Sequence, residues 1–189
     1  MSDVQELLRY VWQCNNKVSL PMSGTGSAAM EASIANFIEE EETILIAKKG
    51  YFGDRLVDMA SRYKANVVVI EKEWGEAFSL DEIKFEIEKN KPSIFAIVHA
   101  ETSTGVLQPL DGIGEICRKN NCLFLVDAVT SLGAVKLLVD DWKIDLAYSC
   151  SQKGLSCPPG LSPFTMNNRA EEKLNNRKSK VPNWYLDLS

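Results

Sequence analysis

The chain has 189 residues, of which 45% are hydrophobic and 25% charged, with a formal net charge of -5. That length suits one domain able to bury a single sizeable core, and the composition is that of a globular protein. The acidic balance argues against nucleic acid as a partner. No apolar run approaches the roughly 20 residues of a membrane span. The start, Met1-Ser2-Asp3-Val4-Gln5-Glu6, lacks the basic and apolar regions of a signal peptide, so a cytoplasmic protein without membrane association is expected.

The first patterned segment is Val18-Ser19-Leu20-Pro21-Met22, a short strand interrupted by proline, which runs into Ser23-Gly24-Thr25-Gly26-Ser27-Ala28-Ala29. This fits Gly-x-Gly-x-x-Gly/Ala, but a dinucleotide fold wants an acidic residue about 20 positions on for the ribose. The next strand end offers Ala47, Lys48 and Lys49 instead. A P-loop fails because no Gly-Lys-Ser/Thr follows. Two readings stand: a plain tight turn into a helix, or a phosphate held by Thr25, Gly26 and Ser27 at a helix N-terminus.

Further along, β-rich runs at 43–46, 67–70, 94–98, 122–126 and 145–148 alternate with helical stretches at about 27–38, 52–63, 79–89 and 111–120. Gly50 and Gly53 bracket one helix start. Ser79, with Glu82 three residues on, makes another, and Lys91-Pro92 stops that helix. Continuous apolar strands alternating with helices predict a three-layer α/β fold, a mainly parallel sheet with helices on both faces. Leu161 to Met166 follows Pro158-Pro159-Gly160 too closely for a crossover helix and reads as a returning antiparallel strand. The basic stretch from Arg169 to Lys180 reads as a solvated helix face.

The five cysteines show no Cys-x-x-Cys spacing, which argues against a disulfide framework and a zinc site. His99 is the only histidine, which removes most metal-site and Ser-His-Asp readings; it is expected to close a strand and satisfy local hydrogen bonds. No metal is expected.

In such sheets ligands gather beyond the carboxyl ends of the strands. Phe52, Thr102, Asp127 and Lys153 all follow strand ends. Lys153 lies in Ser149-Cys150-Ser151-Gln152-Lys153-Gly154, on irregular backbone where an amine can serve as a nucleophile. An amine, a carboxylate and a phosphate cradle are the three things pyridoxal phosphate requires: a partner for its aldehyde, an anion beside its pyridinium and donors around its phosphate.

Five segments in order, Ser23-Gly24-Thr25-Gly26-Ser27, Gly50-Tyr51-Phe52-Gly53-Asp54-Arg55, His99 through Pro109, Val126-Asp127-Ala128-Val129-Thr130-Ser131 and Ser151-Gln152-Lys153, resemble class V aminotransferases of the alanine-glyoxylate and serine-glyoxylate (serine-pyruvate) type. The resemblance runs over nearly the whole chain. It implies the large domain of a fold type I enzyme dependent on pyridoxal 5'-phosphate, working as a homodimer.

By resemblance, Lys153 forms the Schiff base with the cofactor and moves the substrate proton, and Asp127 pairs with the pyridine nitrogen. Phe52, where animal members carry tryptophan, stacks on the ring opposite Val129. Thr102 bonds the phenolic oxygen, and Thr25, Gly26, Ser27 and Gln152 hold the phosphate. Glu101 is set aside as a local hydrogen-bond acceptor.

The expected reaction passes an amine from alanine or serine to glyoxylate or pyruvate. The rival expectations are an inactive cofactor-binding or dimerisation remnant and a lyase or desulfurase of the same class. Family members are longer, so residues 1–189 are expected to be most of the cofactor-binding domain, without the N-terminal arm and the small C-terminal domain.

Overall fold

The computed structural model describes residues 1–189. Along the chain run α1 (Ser2–Trp12), β1 (Val18–Ser23), α2 (Gly26–Phe37), β2 (Thr43–Lys48), α3 (Tyr51–Arg62), β3 (Asn66–Glu71), α4 (Leu80–Asn90), β4 (Ile94–Val98), β5 (Ala100–Glu101) and β6 (Val106–Leu107). They are followed by α5 (Ile113–Lys119), β7 (Leu123–Asp127), β8 (Leu146–Tyr148), β9 (Leu161–Met166) and α6 (Asn168–Asn175). No helix is long and apolar enough to cross a membrane.

Seven strands form one sheet in the order β1-β9-β8-β7-β4-β2-β3. The run from β8 to β3 is parallel, and β9 is antiparallel to both β8 and β1, so the return strand expected at Leu161 to Met166 is present. The prolines that interrupt β1 and β9 face each other, Pro21 opposite Pro163. A mutually hydrogen-bonded pair would need an N–H from each, so this position suits two residues that have none.

Both faces are covered, as continuous apolar strands require. Ile44 and Ile46 of β2, Ala96 of β4 and Leu125 of β7 join α2, α3 and α6 in one core. Leu45, Ala47, Phe95, Ile97, Phe124 and Val126 join α1, α4 and α5 in the other. The period of two sends Asp127 to the α2 and α3 side; carried past β2 and β4, it directs Lys49 and His99 to the opposite side. His99 there meets Trp142 edge-on, at 5.9 Å between ring centres.

The capping box at α4 is complete: Ser79 N donates to Glu82 Oε2 at 2.8 Å, and Glu82 N donates to Ser79 Oγ at 3.3 Å. The crossover from β7 to β8 is built of turns and holds no α-helix. One segment departs from the sequence expectation: the basic stretch after Asn168 is not simply solvated. Arg169 Nη1 donates to the fully buried carboxylate of Asp145 at 2.8 and 2.9 Å, and Lys173 Nζ reaches Glu42 at 2.6 Å. Ala170 and Leu174 bury the other face of α6.

Candidate active site

The sharp entry into α2 builds one wall. Gly24 has φ 118°, a conformation disfavoured for a side-chain residue, and Ser162 Oγ donates to the carbonyls of Gly24 (2.9 Å) and Thr25 (2.5 Å). Thr25 is the N-cap and makes no side-chain cap bond; Ala28 N donates to the Thr25 carbonyl at 2.8 Å, which leaves the N–H groups of Gly26 and Ser27 without intrahelical acceptors. A Cβ on Gly26 would lie 2.9 Å from Val129 Cγ2, so only glycine lets the helix start sit this close to the turn after β7.

The second wall is α3. Buried Glu101 accepts from Phe52 N (3.4 Å), Gly53 N (3.3 Å), Ser103 N (3.2 Å) and Ser103 Oγ (2.8 Å), clamping the first turn of the helix to the β5–β6 hairpin. Gly50 makes room for that carboxylate, since a Cβ there would come within 2.5 Å of Glu101 Cγ. Phe52 is thereby fixed beside the cavity. Arg55, one turn on, donates to Ser27 Oγ at 3.0 Å and lies over the Phe52 ring, 4.9 Å from its centre.

The floor carries a charge. Asp127 ends β7 and is 2% exposed. Val129 N donates to its Oδ1 and Tyr148 Oη to its Oδ2, each at 2.9 Å. Burial raises its pKa from 3.8 to about 6, against the pull of those two donors. The same burial pushes the Tyr148 hydroxyl well above its usual range.

Lys153 lies in the turn after β8. Ser151 Oγ donates to Pro158 O at 2.6 Å and Cys157 N to Ser151 O at 3.0 Å, which ties the loop across its base. Gly154 packs directly on the Leu132 carbonyl, where any Cβ would collide. Gln152 Oε1 is buried with no partner within the chain.

Thr25, Gly26, Ser27, Phe52, Val129, Gln152 and Lys153 line one cavity together with Met30, Arg55 and Cys150. Asp127 and Thr102 are not among its lining residues. Asp127 lies buried beside Val129, and Thr102 is exposed at the turn of the β5–β6 hairpin. Sequence reasoning missed Arg55 and Tyr148. The helical spacing from Phe52 carried the signal for Arg55. Tyr148 is found only through the register that sets it opposite Asp127.

Chemically the cavity joins a primary amine, a nearby buried carboxylate, two apolar walls and a cluster of anion donors at a helix start. No cluster of three or more His, Cys, Asp or Glu is placed to hold a metal ion. The buried side chain of His99, which sequence reasoning expected to be locally satisfied, has an unpartnered Nδ1; burial and then Lys49 lower its pKa to about 4.

The sequence model of the class-V aminotransferase family matches residues 1–180. An alanine–glyoxylate aminotransferase of Drosophila melanogaster is 40% identical over 189 residues, covering 100% of this chain and 48% of its own. An (S)-ureidoglycine–glyoxylate transaminase of Bacillus subtilis (strain 168) is 46% identical over 178 residues, 94% of this chain and 43% of its own. A crystal structure of an alanine–glyoxylate aminotransferase from Nostoc sp. superposes with a TM-score of 0.98 at 60% identity, covering 99% of this chain and 50% of that one. The chain thus spans about half the length of the curated relatives it matches. The mainly parallel sheet between helical layers is the fold type I architecture of these aminotransferases.

Proposed function

The chain belongs to the class-V aminotransferase family, and on that premise we propose that it is the cofactor-binding part of an aminotransferase that uses pyridoxal 5'-phosphate. The observation that carries the reading is the convergence of Lys153, the open start of α2 and the Phe52 and Val129 walls on one cavity beside buried Asp127. The donor set fits the group: unsatisfied N–H groups of α2 and the Ser27 hydroxyl suit a phosphate, and a carboxylate strained by burial suits a cationic ring nitrogen.

When bound, pyridoxal phosphate supplies a ring that accepts the negative charge left as a substrate carbon loses its proton. The protein's own groups do the rest. Lys153 offers its amine for covalent attachment and carries the proton away from and back to the substrate carbon. Asp127, whose ionised form the Val129 N–H and Tyr148 hydroxyl favour against burial, would pair with the ring nitrogen and keep it protonated. Phe52 and Val129 would flank the ring and Thr25, Gly26, Ser27 and Gln152 would hold the phosphate, with Thr102, on the hairpin turn outside the cavity lining, the candidate for its phenolic oxygen.

Glyoxylate as amino acceptor is supported by the names of the Drosophila and Bacillus relatives, both glyoxylate aminotransferases. Alanine or serine is the donor in this reading, pyruvate the alternative acceptor, and a homodimer the working assembly. Residues 1–189 form most of its cofactor domain. The test is spectroscopic: added pyridoxal phosphate gives a visible absorbance band, and Lys153→Ala removes it. A band that persists in that variant refutes the assignment.

A further inference from the structure

Lys49 follows the last residue of β2, is 1% exposed, and its Nζ has no hydrogen-bond partner within the chain. An ammonium removed from water without a partner is costly, and a lysine is seldom kept there without a use. It is not a structural twin of its neighbour. Lys48 points to the α3 side and forms ion pairs with Asp54 (3.0 Å) and Glu71 (2.8 Å).

The charges around Lys49 can be counted. Glu101, 1% exposed, packs its Cγ and Cδ against Gly50, the residue after Lys49, with 2.5 and 2.7 Å to the position a Cβ would take there. Asp127 is 2% exposed on the next strand but one. His99, from the end of β4, is neutral near pH 7. Arg55 sits at the cavity rim on α3, bonded to Ser27, and Tyr148 on β8 is an uncharged donor. The fully buried charges at this end of the sheet are therefore two carboxylates and one ammonium.

We propose that Lys49 is a positioning residue of the active site: its buried ammonium is the counter-charge of Glu101, which holds the first turn of α3 and Phe52 in place and leaves Asp127 as the one unmatched buried carboxylate, free for a cationic ring nitrogen. This rests on the reading of Asp127 given above. The electrostatics agree in direction. Burial lowers the Lys49 pKa to about 8, and Glu101 first, then Asp127, pull it back up. Near pH 7 the group is still mainly charged.

The experiment follows the side-chain carboxyls by ¹³C NMR in the full chain without added cofactor. In Lys49→Met the buried carboxylates are no longer compensated, and Asp127 titrates about one pH unit or more higher than in the wild type, so that it holds about half a proton or more at pH 7. Lys49→Arg keeps the wild-type titration, and Lys49→Met/Glu101→Gln restores that of Asp127.

If Lys49→Met does not fold, recovery of folding in the double variant supports the counter-charge, and failure of both overturns it. Unchanged carboxyl titration in a folded Lys49→Met also overturns it. Because no cofactor is needed, these outcomes are separate from the pyridoxal reading, which fails only if the wild type gives no Lys153-dependent band.

Discussion

Tyr148 Oη donates to Asp127 Oδ2 at 2.9 Å, and the parallel register of β7 and β8 sets the two residues side by side. A buried carboxylate at a strand end thus receives a donor from the neighbouring strand end, on the face that meets α2. Removing that donor in Tyr148→Phe leaves one oxygen of a 2% exposed carboxylate without its partner. The expected result is a further rise in the Asp127 pKa and a stability loss of about 1–3 kcal/mol at neutral pH, measured by carboxyl NMR and urea unfolding.

Asp127→Asn keeps the shape and the contact with Val129 N but removes the charge. Folding is expected to persist, while retention of pyridoxal phosphate weakens and the half-reaction with alanine slows by on the order of 10² or more. Stopped-flow measurement of that half-reaction checks it; near-normal rates would mean that the ring nitrogen is served by another group.

The pH dependence of stability separates two buried groups. His99 is held at about 4 against an ordinary 6.5, so between those values the unfolded chain binds the extra proton and this group makes stability rise with pH. Asp127 is held at about 6 against 3.8, so the folded chain binds the extra proton and this group makes stability fall over nearly the same window. Each contribution is about 3 kcal/mol, and the two largely cancel. Between pH 4.5 and 6.5, His99→Gln should therefore lose stability with rising pH and Asp127→Asn should gain it. Parallel slopes in the two variants would contradict the assignment.

Gly50→Ala forces a methyl into the space of Glu101, whose carboxylate is held by three N–H groups and a hydroxyl and cannot simply swing aside. The expected loss is about 1–3 kcal/mol, with faster amide exchange at Phe52 and Gly53. Slow exchange at those amides in the variant would show that the clamp tolerates the methyl group.

At the opposite end of the sheet, Asp145 is fully buried and binds Phe124 N (2.9 Å), Asn167 Nδ2 (2.7 Å) and Arg169 Nη1. Arg169→Met strands that carboxylate. A loss of about 3–5 kcal/mol is expected by thermal or chemical unfolding, and a loss below about 1 kcal/mol would show that Asn167 and Phe124 suffice.

The sequence by itself determined the elements whose signal is local. Apolar runs of strand length at Ile44, Ile94 and Leu123 could bury both faces only in a parallel sheet. Ser79 with Glu82 marked one helix start because capping acts within a few residues, and Gly50 before Tyr51 marked another. Lys153, Asp127 and the glycine-rich turn were readable because each stands where an apolar strand or a polar turn ends.

The tertiary structure decided what depends on distant neighbours. It drew Thr25, Phe52, Val129 and Lys153, from separate crossovers, around one cavity, while Thr102 stayed on an exposed hairpin turn. It gave Asp127 its partner Tyr148 and gave Asp145 its partner Arg169, both through strand register and helix docking that no local pattern encodes. It also buried Lys49 and left Lys48 in surface ion pairs. In sequence these are adjacent identical residues; the alternation of a strand end sends them to opposite faces, and burial there decides what each charge can do.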